Sequence, residues 1–253
     1  MSPDEYVLYI LQKYAVQTGS NSPAESNARL IIPQLRQWAG SYLVDVFYSG
    51  SYAKGTGVLG SADIDIFISL HPSTPQSLGE IYESLFQQAS AQGWNPKRQN
   101  VSIGITYNGV KIDLVPGKVQ SGQINYHSLY VRRRSSWTQT NVKLHIDEVI
   151  KSRRVNEIRA IKIWRNLHKL DFFSFYLELS LMNALAYKPT TTVAQNVITA
   201  LEYLESSFPT ARVLDPANTN NVISDGLTAA EKKAIADQAR LSRQATNWNQ
   251  IIW

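Results

Sequence analysis

Three aspartates interrupt stretches that otherwise have the alternating apolar pattern of buried strands. Asp63 and Asp65 stand among isoleucines in ADIDIFISL, and Asp113 stands in GVKIDLVPG. Because successive side chains in a strand point to opposite faces, Asp63 and Asp65 are predicted on one face and the isoleucines on the other. The isoleucines can then pack under helices while the two carboxylates emerge together at the start of the strand.

Two carboxylates this close repel each other unless a cation lies between them. Oxygen ligands suit Mg²⁺, with Mn²⁺ as a substitute. If the Asp113 strand lies beside the Asp63 and Asp65 strand, three carboxylates can hold two metal ions that activate a hydroxyl and stabilise a leaving pyrophosphate. Asp113 is then the general base or a ligand of the hydroxyl-side metal. Taken alone, D-x-D also fits a pair of solvated acids at a strand edge.

The segment GSYAKGT precedes the first two aspartates and has the chemistry of a polyphosphate site. Gly50 gives a small turn with accessible backbone N–H groups, Ser51 and Thr56 give hydroxyls, and Lys54 gives a positive charge. Such groups surround phosphates in many nucleotide sites. Glycine-rich turns are common, so the prediction depends on the combination of this segment with the D-I-D that follows it.

These motifs together resemble the DNA polymerase β-like nucleotidyltransferases. The order G-S-x-x-x-G-T, D-x-D and D-L-V-P is similar to the branch that holds archaeal-type CCA-adding enzymes, oligoadenylate synthetases and bacterial cGAS/DncV-like enzymes. Later segments continue the resemblance, which spans roughly residues 40 to 253: WTQTNVKLHI, AIKIWRN, FFSFYLELSL and DPANTNNVISDGL.

The resemblance implies a role for each matching residue. Gly50 and Ser51 would hold phosphates, and the three aspartates would hold the metals. Lys54 stands where many CCA-adding enzymes carry a triphosphate-binding arginine. Lys162 and Ser174 match residues that bind the triphosphate from the helical side. Lys162 also lies beside an apolar helical stripe, a position that a lysine at the protein surface occupies more often.

The predicted fold class is α+β, with a polymerase β-like core of mixed sheet and helices followed by an α-helical half. The predicted domains are a catalytic core with N-terminal helices over residues 1–135 and a helical domain over 136–253 that closes the nucleotide cleft. In the core, the patterns predict helices at 3–17, 22–43 and 77–93, strands at 43–50 and 62–70, and a hairpin at 100–117. Pro33 is predicted to kink or restart the second helix. Residues 141–170 are predicted as one long helix or two, and the segment around Asp215-Pro216 as a loop.

Composition fits a globular cytoplasmic protein. The 253 residues are 43% hydrophobic, include no cysteine and carry a net charge of +5. No membrane-spanning run or secretory signal is predicted. Much of the excess charge lies between residues 131 and 165, which predicts a basic strip. Within it, Arg132, Arg133 and Arg134 are candidate contacts for nucleic acid as primer, product or activator, or a solvated loop.

The sequence favours a Mg²⁺-dependent, template-independent nucleotidyltransferase that uses an NTP or dNTP and makes a cyclic or linear oligonucleotide signal in bacterial antiviral defence, with a downstream effector protein as a partner. Two alternatives remain: a CCA-like polymerase that extends nucleic acid or makes short oligomers, and an enzyme that adenylylates a protein. Asn220 stands where the CCA-adding enzymes have arginine in R-N-V. His145 is interpreted as a helix residue rather than a base contact.

Overall fold

The computed structural model describes residues 1–19, 22–60, 63–123 and 125–253. Packing divides the chain into two compact units. The sheet unit comprises Gln17–Ala53 and Ala62–Ile146, and the helical unit comprises Met1–Val16, Lys54–Ser61 and Asp147–Trp253. This division differs from the predicted boundary at residue 135, because the N-terminal helix and the segment after residue 53 pack with the C-terminal helices.

In the described residues, the helices are α1 (Pro3–Lys13), α2 (Pro23–Ala39), α3 (Gly50–Ala53), α4 (Leu78–Ala91), α5 (Val142–Ser152), α6 (Val155–Leu167), α7 (Ser174–Ala184), α8 (Val193–Ser206) and α9 (Ala229–Arg243). The strands are β1 (Leu43–Ser49), β2 (Ile64–Leu70), β3 (Lys97–Arg98), β4 (Ile103–Tyr107), β5 (Val110–Val119), β6 (His127–Val131), β7 (Ser136–Thr140), β8 (Leu214–Asp215) and β9 (Asn218–Val222).

The sheet unit is built around β2, which pairs antiparallel with β1 and parallel with β5. The sheet order is β1-β2-β5-β4-β3, and β6 and β7 extend it from the end of β5. The predicted hairpin of β4 and β5 is confirmed, with Asn108 and Gly109 both at positive φ, as a tight two-residue turn requires. Apolar faces of α2 and α4 cover the isoleucines of β2 and the apolar residues of β5 in one core.

Helix α2 passes through Pro33 without a break, so the predicted restart is wrong, while the predicted kink stays a prediction. Proline in a helix interior removes one hydrogen bond and costs about 3 kcal/mol. On the same helix, Ala28, Ile31 and Leu35 are fully buried against the sheet. Burial of this apolar face offsets the cost of the proline. A local sequence pattern does not show this burial, because it depends on tertiary packing.

The helical unit is organised around α6 and α7, which are buried on most sides. The stretch 141–170 forms two helices, α5 and α6, separated at Arg153, whose φ is 56°. The predicted loop near Asp215 instead forms the short β8–β9 hairpin, where Asp215 accepts hydrogen bonds from the Ala217 N–H and the Asn221 amide. No helix among the described residues has the length and apolar character needed to span a bilayer.

Helix α1 begins at Pro3, with Ser2 as its N-cap, and ends at Lys13, four residues earlier than predicted. Its buried side chains Val7, Ile10 and Leu11 belong to the core of the helical unit. The Tyr6 hydroxyl donates to the Ile252 carbonyl at 3.0 Å. The N-terminal helix is therefore an integral part of a unit whose other helices come from the second half of the chain.

Candidate active site

The three aspartates lie on one face of the sheet unit. Asp65 in β2 and Asp113 in β5 are directly paired in parallel register. Their strand neighbours Ile64 and Ile112 are buried on the opposite face, under α2 and α4. Asp63 precedes β2 by one residue and is exposed. The predicted alternation and the predicted neighbouring of the two strands are both confirmed.

Asp63 and Asp113 line one pocket of about 230 Å³, together with Lys97, Gln99 and Lys111. Burial and the negative charge of Asp63 raise the pKa of Asp113, while a hydrogen bond from Gln99 and the charge of Lys111 oppose the rise. The Gln99 amide donates to Asp113 Oδ1 at 2.8 Å. The pocket thus holds carboxylates whose charges destabilise each other.

Gly50 makes room for Asp65. Its φ is 58°, and a Cβ built on it would lie 1.7 Å from Asp65 Oδ2. Both the backbone conformation and the space therefore require glycine here. Gly50 opens the single-turn helix α3, and Ser51 follows it half-buried. The sequence assigned Gly50 to phosphate binding, whereas the geometry also gives it the task of fixing the second carboxylate.

The donor set of this face fits a hard divalent cation. It consists of carboxylate oxygens, the ligands that Mg²⁺ prefers, and a cation would relieve the repulsion that raises the pKa of Asp113. Within the described ranges, no three acidic or histidine side chains already converge on a common point in the way a formed metal site requires. The roles of Asp63, Asp65 and Asp113 as metal ligands therefore stay predictions.

A second group of predicted residues meets in the helical unit. Lys54 Nζ lies 2.8 Å from Glu178 Oε2, and Lys162 Nζ lies 2.6 Å from Glu178 Oε1. Thr56 donates to Glu178 Oε1 at 2.9 Å and accepts from Lys162 Nζ at 2.9 Å. We call Lys54, Thr56, Lys162 and Glu178 the lysine cluster. The structure thus brings three predicted nucleotide-binding residues onto one carboxylate.

The lysine cluster is buried. Lys54 is 9% exposed, Lys162 2% and Thr56 0%. Burial acts to raise the pKa of Glu178, but the charges of Lys54 and Lys162 bring it down to about 2. Burial lowers the pKa of Lys162, and Glu178 opposes that decrease. Lys162 is therefore not the surface lysine that its helical position alone would suggest.

Ser174 is the first residue of α7, and its hydroxyl accepts a hydrogen bond from Arg165 at 3.2 Å. Arg165 also donates to the Phe172 carbonyl at 2.7 Å. Burial lowers the pKa of Lys162, and the charge of Arg165 adds to that decrease. Burial also lowers the pKa of Arg165, and the charge of Glu178 opposes that decrease. Sequence reasoning missed both Arg165 and Glu178. A lone glutamate in the apolar stretch SFYLELSL was the available signal for a buried acid that needs a cation.

The predicted basic strip is only partly correct. Arg132, Arg133 and Arg134 form an exposed turn between β6 and β7. In the helical unit, however, Arg154 and Lys162 are buried and paired, because the helix that carries them is central to the core. The exposed part of the strip consists of the arginine turn and of three further residues, Lys143, Lys151 and Arg153.

The arginine turn is held by the loop that precedes β4. The Arg132 N–H donates to the Asn100 carbonyl at 2.8 Å, and its guanidinium donates to the Gln99 carbonyl at 3.1 Å. The indole of Trp137 is 59% exposed in the next strand. Nothing in these contacts identifies a nucleic acid, so this role stays a prediction. His145 is half-buried within α5, in agreement with its interpretation as a helix residue.

Comparison with known proteins gives structural neighbours only. Neither a protein-family model nor a curated protein matches the sequence. CdnC of E. coli MS115-1, solved with ATP, superposes with a TM-score of 0.77 at 20% identity, covering 98% of this chain and 96% of that one. The CD-NTase CdnG of Bradyrhizobium diazoefficiens, solved with GTP, has a TM-score of 0.81 at 11% identity and coverages of 96% and 90%.

A third neighbour is the cyclic dinucleotide synthase CdnE of Elizabethkingia meningoseptica, solved with GTP and Apcpp. Its TM-score is 0.65 at 14% identity, with coverages of 97% of this chain and 100% of that one. The chain therefore has the α+β nucleotidyltransferase fold of the bacterial CD-NTases along nearly its whole length. The predicted fold class and the predicted structural resemblance are confirmed.

Proposed function

We propose that the protein is a divalent-metal-dependent nucleotidyltransferase that transfers NMP from an NTP to a hydroxyl and releases pyrophosphate. The observation that carries the proposal is the pairing of Asp65 with Asp113 on one face of the sheet. Asp63, which immediately precedes β2, lines the same pocket as Asp113. A strand pair that is otherwise apolar places three carboxylates on one face, where burial and the charge of Asp63 raise the pKa of Asp113. The CD-NTase fold around them supports this reading.

The reaction forms a bond between the attacking hydroxyl oxygen and the α-phosphorus and breaks the bond from that phosphorus to the bridging oxygen. The hydroxyl proton leaves to a base, and the electron pair leaves with pyrophosphate. We assign the base role to Asp113 because it lines the same pocket as Asp63, beside the position proposed for the metal. Mg²⁺ held by the aspartates would stabilise the charge that develops on the attacking and leaving oxygens.

The lysine cluster would supply the triphosphate contacts. Lys54 and Lys162 carry two positive charges against the single negative charge of Glu178, and Arg165 adds a third positive charge nearby. A local excess of positive charge favours an anionic ligand and stabilises a leaving pyrophosphate. The buried Thr56 bonds to both Glu178 and Lys162 and so orients the cluster.

We propose a cyclic or linear oligonucleotide signal, acting in bacterial antiviral defence, as the product. The support is likeness of fold: one neighbour is a cyclic dinucleotide synthase, and this chain spans nearly all of it. A protein partner is proposed on similar ground, since CdnC has been solved in complex with a HORMA protein. The exposed arginine turn favours strand extension as the second candidate.

The test incubates the purified protein with each NTP and dNTP in Mg²⁺ or Mn²⁺ and identifies products by mass. Phosphatase treatment separates resistant cyclic products from sensitive linear ones. We expect pyrophosphate release with short products, and none from the Asp63→Asn, Asp65→Asn double variant. A label that appears on protein would support adenylylation, and long ladders would support the polymerase. Absence of turnover with every nucleotide, with and without added RNA or DNA, would refute the proposed function.

A further inference from the structure

Glu178 is the only acid among the four members of the lysine cluster, and its two oxygens are fully used. One oxygen accepts from Lys54, and the other accepts from both Lys162 and Thr56. Its side chain is 1% exposed. A buried carboxylate beside a proposed triphosphate site needs an explanation, because its charge repels the ligand that the lysines attract.

Burial disfavours the charged form of a lysine, and Glu178 can oppose this effect. A lysine withdrawn from water tends to lose its proton, and a lysine without a proton cannot hold a phosphate. Burial is the main cause lowering the pKa of Lys162, and the nearby charges of Lys54 and Arg165 lower it further. Glu178 is the group that opposes all three effects. The charge of Asp171 acts on Arg165 in the same direction as that of Glu178.

We propose that Glu178 is a positioning residue that fixes Lys54 and Lys162 in place and keeps Lys162 protonated, so that the site binds triphosphate equally well on both sides of neutral pH. The inference rests on the proposed function, because it takes the lysine cluster to be the triphosphate site. Glu178 touches only the two lysines and Thr56 within the cluster, so it acts through them and not on the nucleotide.

Two readings of Glu178 predict opposite effects of its removal. If it were a bystander, Glu178→Gln would remove a repulsive charge and tighten anion binding at every pH. If it maintains the lysine charges, the same variant binds well at acidic pH, where both lysines are protonated, and loses affinity as pH rises. The pH dependence therefore separates the proposed role from a purely structural one.

The experiment measures binding of inorganic tripolyphosphate by calorimetry, without metal, at pH values of about 6.5 and about 8.5. For Glu178→Gln we expect the dissociation constant to rise about tenfold more than in wild type over this interval, which corresponds to one lysine losing its charge. Glu178→Asp, which restores the charge, should return the wild-type profile. Tighter binding by Glu178→Gln at both pH values, or an unchanged profile, would overturn the proposal.

Failure of the proposed function gives a different result. If Lys54→Ala with Lys162→Ala binds tripolyphosphate as tightly as wild type, the lysine cluster is not the phosphate site. Should Glu178→Gln fail to fold, wild type alone still decides the matter. The carbon-13 signal of the Lys162 ε-methylene should not titrate between about pH 6.5 and 8.5, and its titration there would refute the role of Glu178.

Discussion

An acidic neighbour disfavours the charged form of Asp113 in the sheet unit, while Glu178 and its two lysines favour each other's charged forms in the helical unit. Asp63 and Asp113 share one pocket, and the pKa of Asp113 is raised by burial and by its acidic neighbour. In the lysine cluster, two ammonium groups bring the pKa of Glu178 down to about 2 despite its burial. The first arrangement needs a cation from outside, whereas the second already pairs both lysines with a carboxylate of the same chain. Replacing a charge should therefore have opposite consequences in the two units.

The largest effect is expected from Asp63→Asn combined with Asp65→Asn. Loss of the charges that hold the metals should lower the rate of product formation by at least about a thousandfold, because a metal ion supplies several kcal/mol of charge stabilisation. Product mass spectrometry measures the loss, and circular dichroism checks that the fold is retained. Metal-dependent turnover that survives in the double variant would remove these residues from the active site.

Glu178→Gln tests how much the ion pairs of the lysine cluster stabilise the helical unit. It leaves two buried lysines without their carboxylate, and breaking a buried pair in this way lowers the free energy of unfolding by about 3–5 kcal/mol. Urea unfolding at neutral pH measures the difference. A loss below about 1 kcal/mol would mean that water reaches the cluster and compensates its charges.

Gly50→Ala tests how closely the sheet unit fixes its carboxylate. The added Cβ would displace Asp65, and a displacement of about 1 Å lowers a catalytic rate about a hundredfold. Gly109→Ala is the matched control: its φ of 78° is equally unfavourable for alanine, but no atom lies near the added Cβ. The control should lose stability and keep its activity. Equal activity of the two variants would contradict the role assigned to Gly50.

Asp113→Asn tests whether removal of a charge from the sheet unit raises stability, the opposite of the effect expected for Glu178→Gln. Since the raised pKa of Asp113 belongs to the folded state, wild type loses stability as pH rises from 3.8 through that raised value. The asparagine variant lacks this loss. Without metal, its melting temperature should therefore exceed that of wild type by a few degrees at neutral pH, with the gap closing below about pH 4. A lower melting temperature for the variant at neutral pH would mean that the Gln99 contact outweighs the repulsion.

The smallest effect is expected at the arginine turn. For a short signal product, replacing Arg132, Arg133 and Arg134 by alanine should leave product length and its weak salt dependence unchanged. An enzyme that holds a growing strand would instead lose about 0.7 from its salt slope for each phosphate contact. The matched control replaces three exposed lysines of the helical unit, Lys13, Lys188 and Lys233. Long ladders that shorten only in the arginine variant would favour the polymerase.

The sequence predicted the sheet side of the site better than the helical side. Alternation alone places Asp63 and Asp65 on one face, and Asn108-Gly109 sets the register that brings Asp113 onto the sheet. The lysine cluster could not be predicted from a local sequence pattern. Glu178 lies 124 positions from Lys54, and no local period connects them. Likewise, Lys162 looks like a surface residue until the burial of α6 on most of its sides is known.

Helix α1 has a consequence for how the chain folds during synthesis. The sheet unit can form once residue 146 has emerged, but α1 must wait for partners as late as Ile252. At ~5–20 residues per second, its apolar face stays uncovered on the order of ten seconds while the sheet unit is already folded. The acidic residues and lysine that flank this face, Asp4, Glu5 and Lys13, help to keep the waiting helix from aggregating. Nascent-chain proteolysis should therefore show protection of the sheet unit first and of the N-terminal helix last.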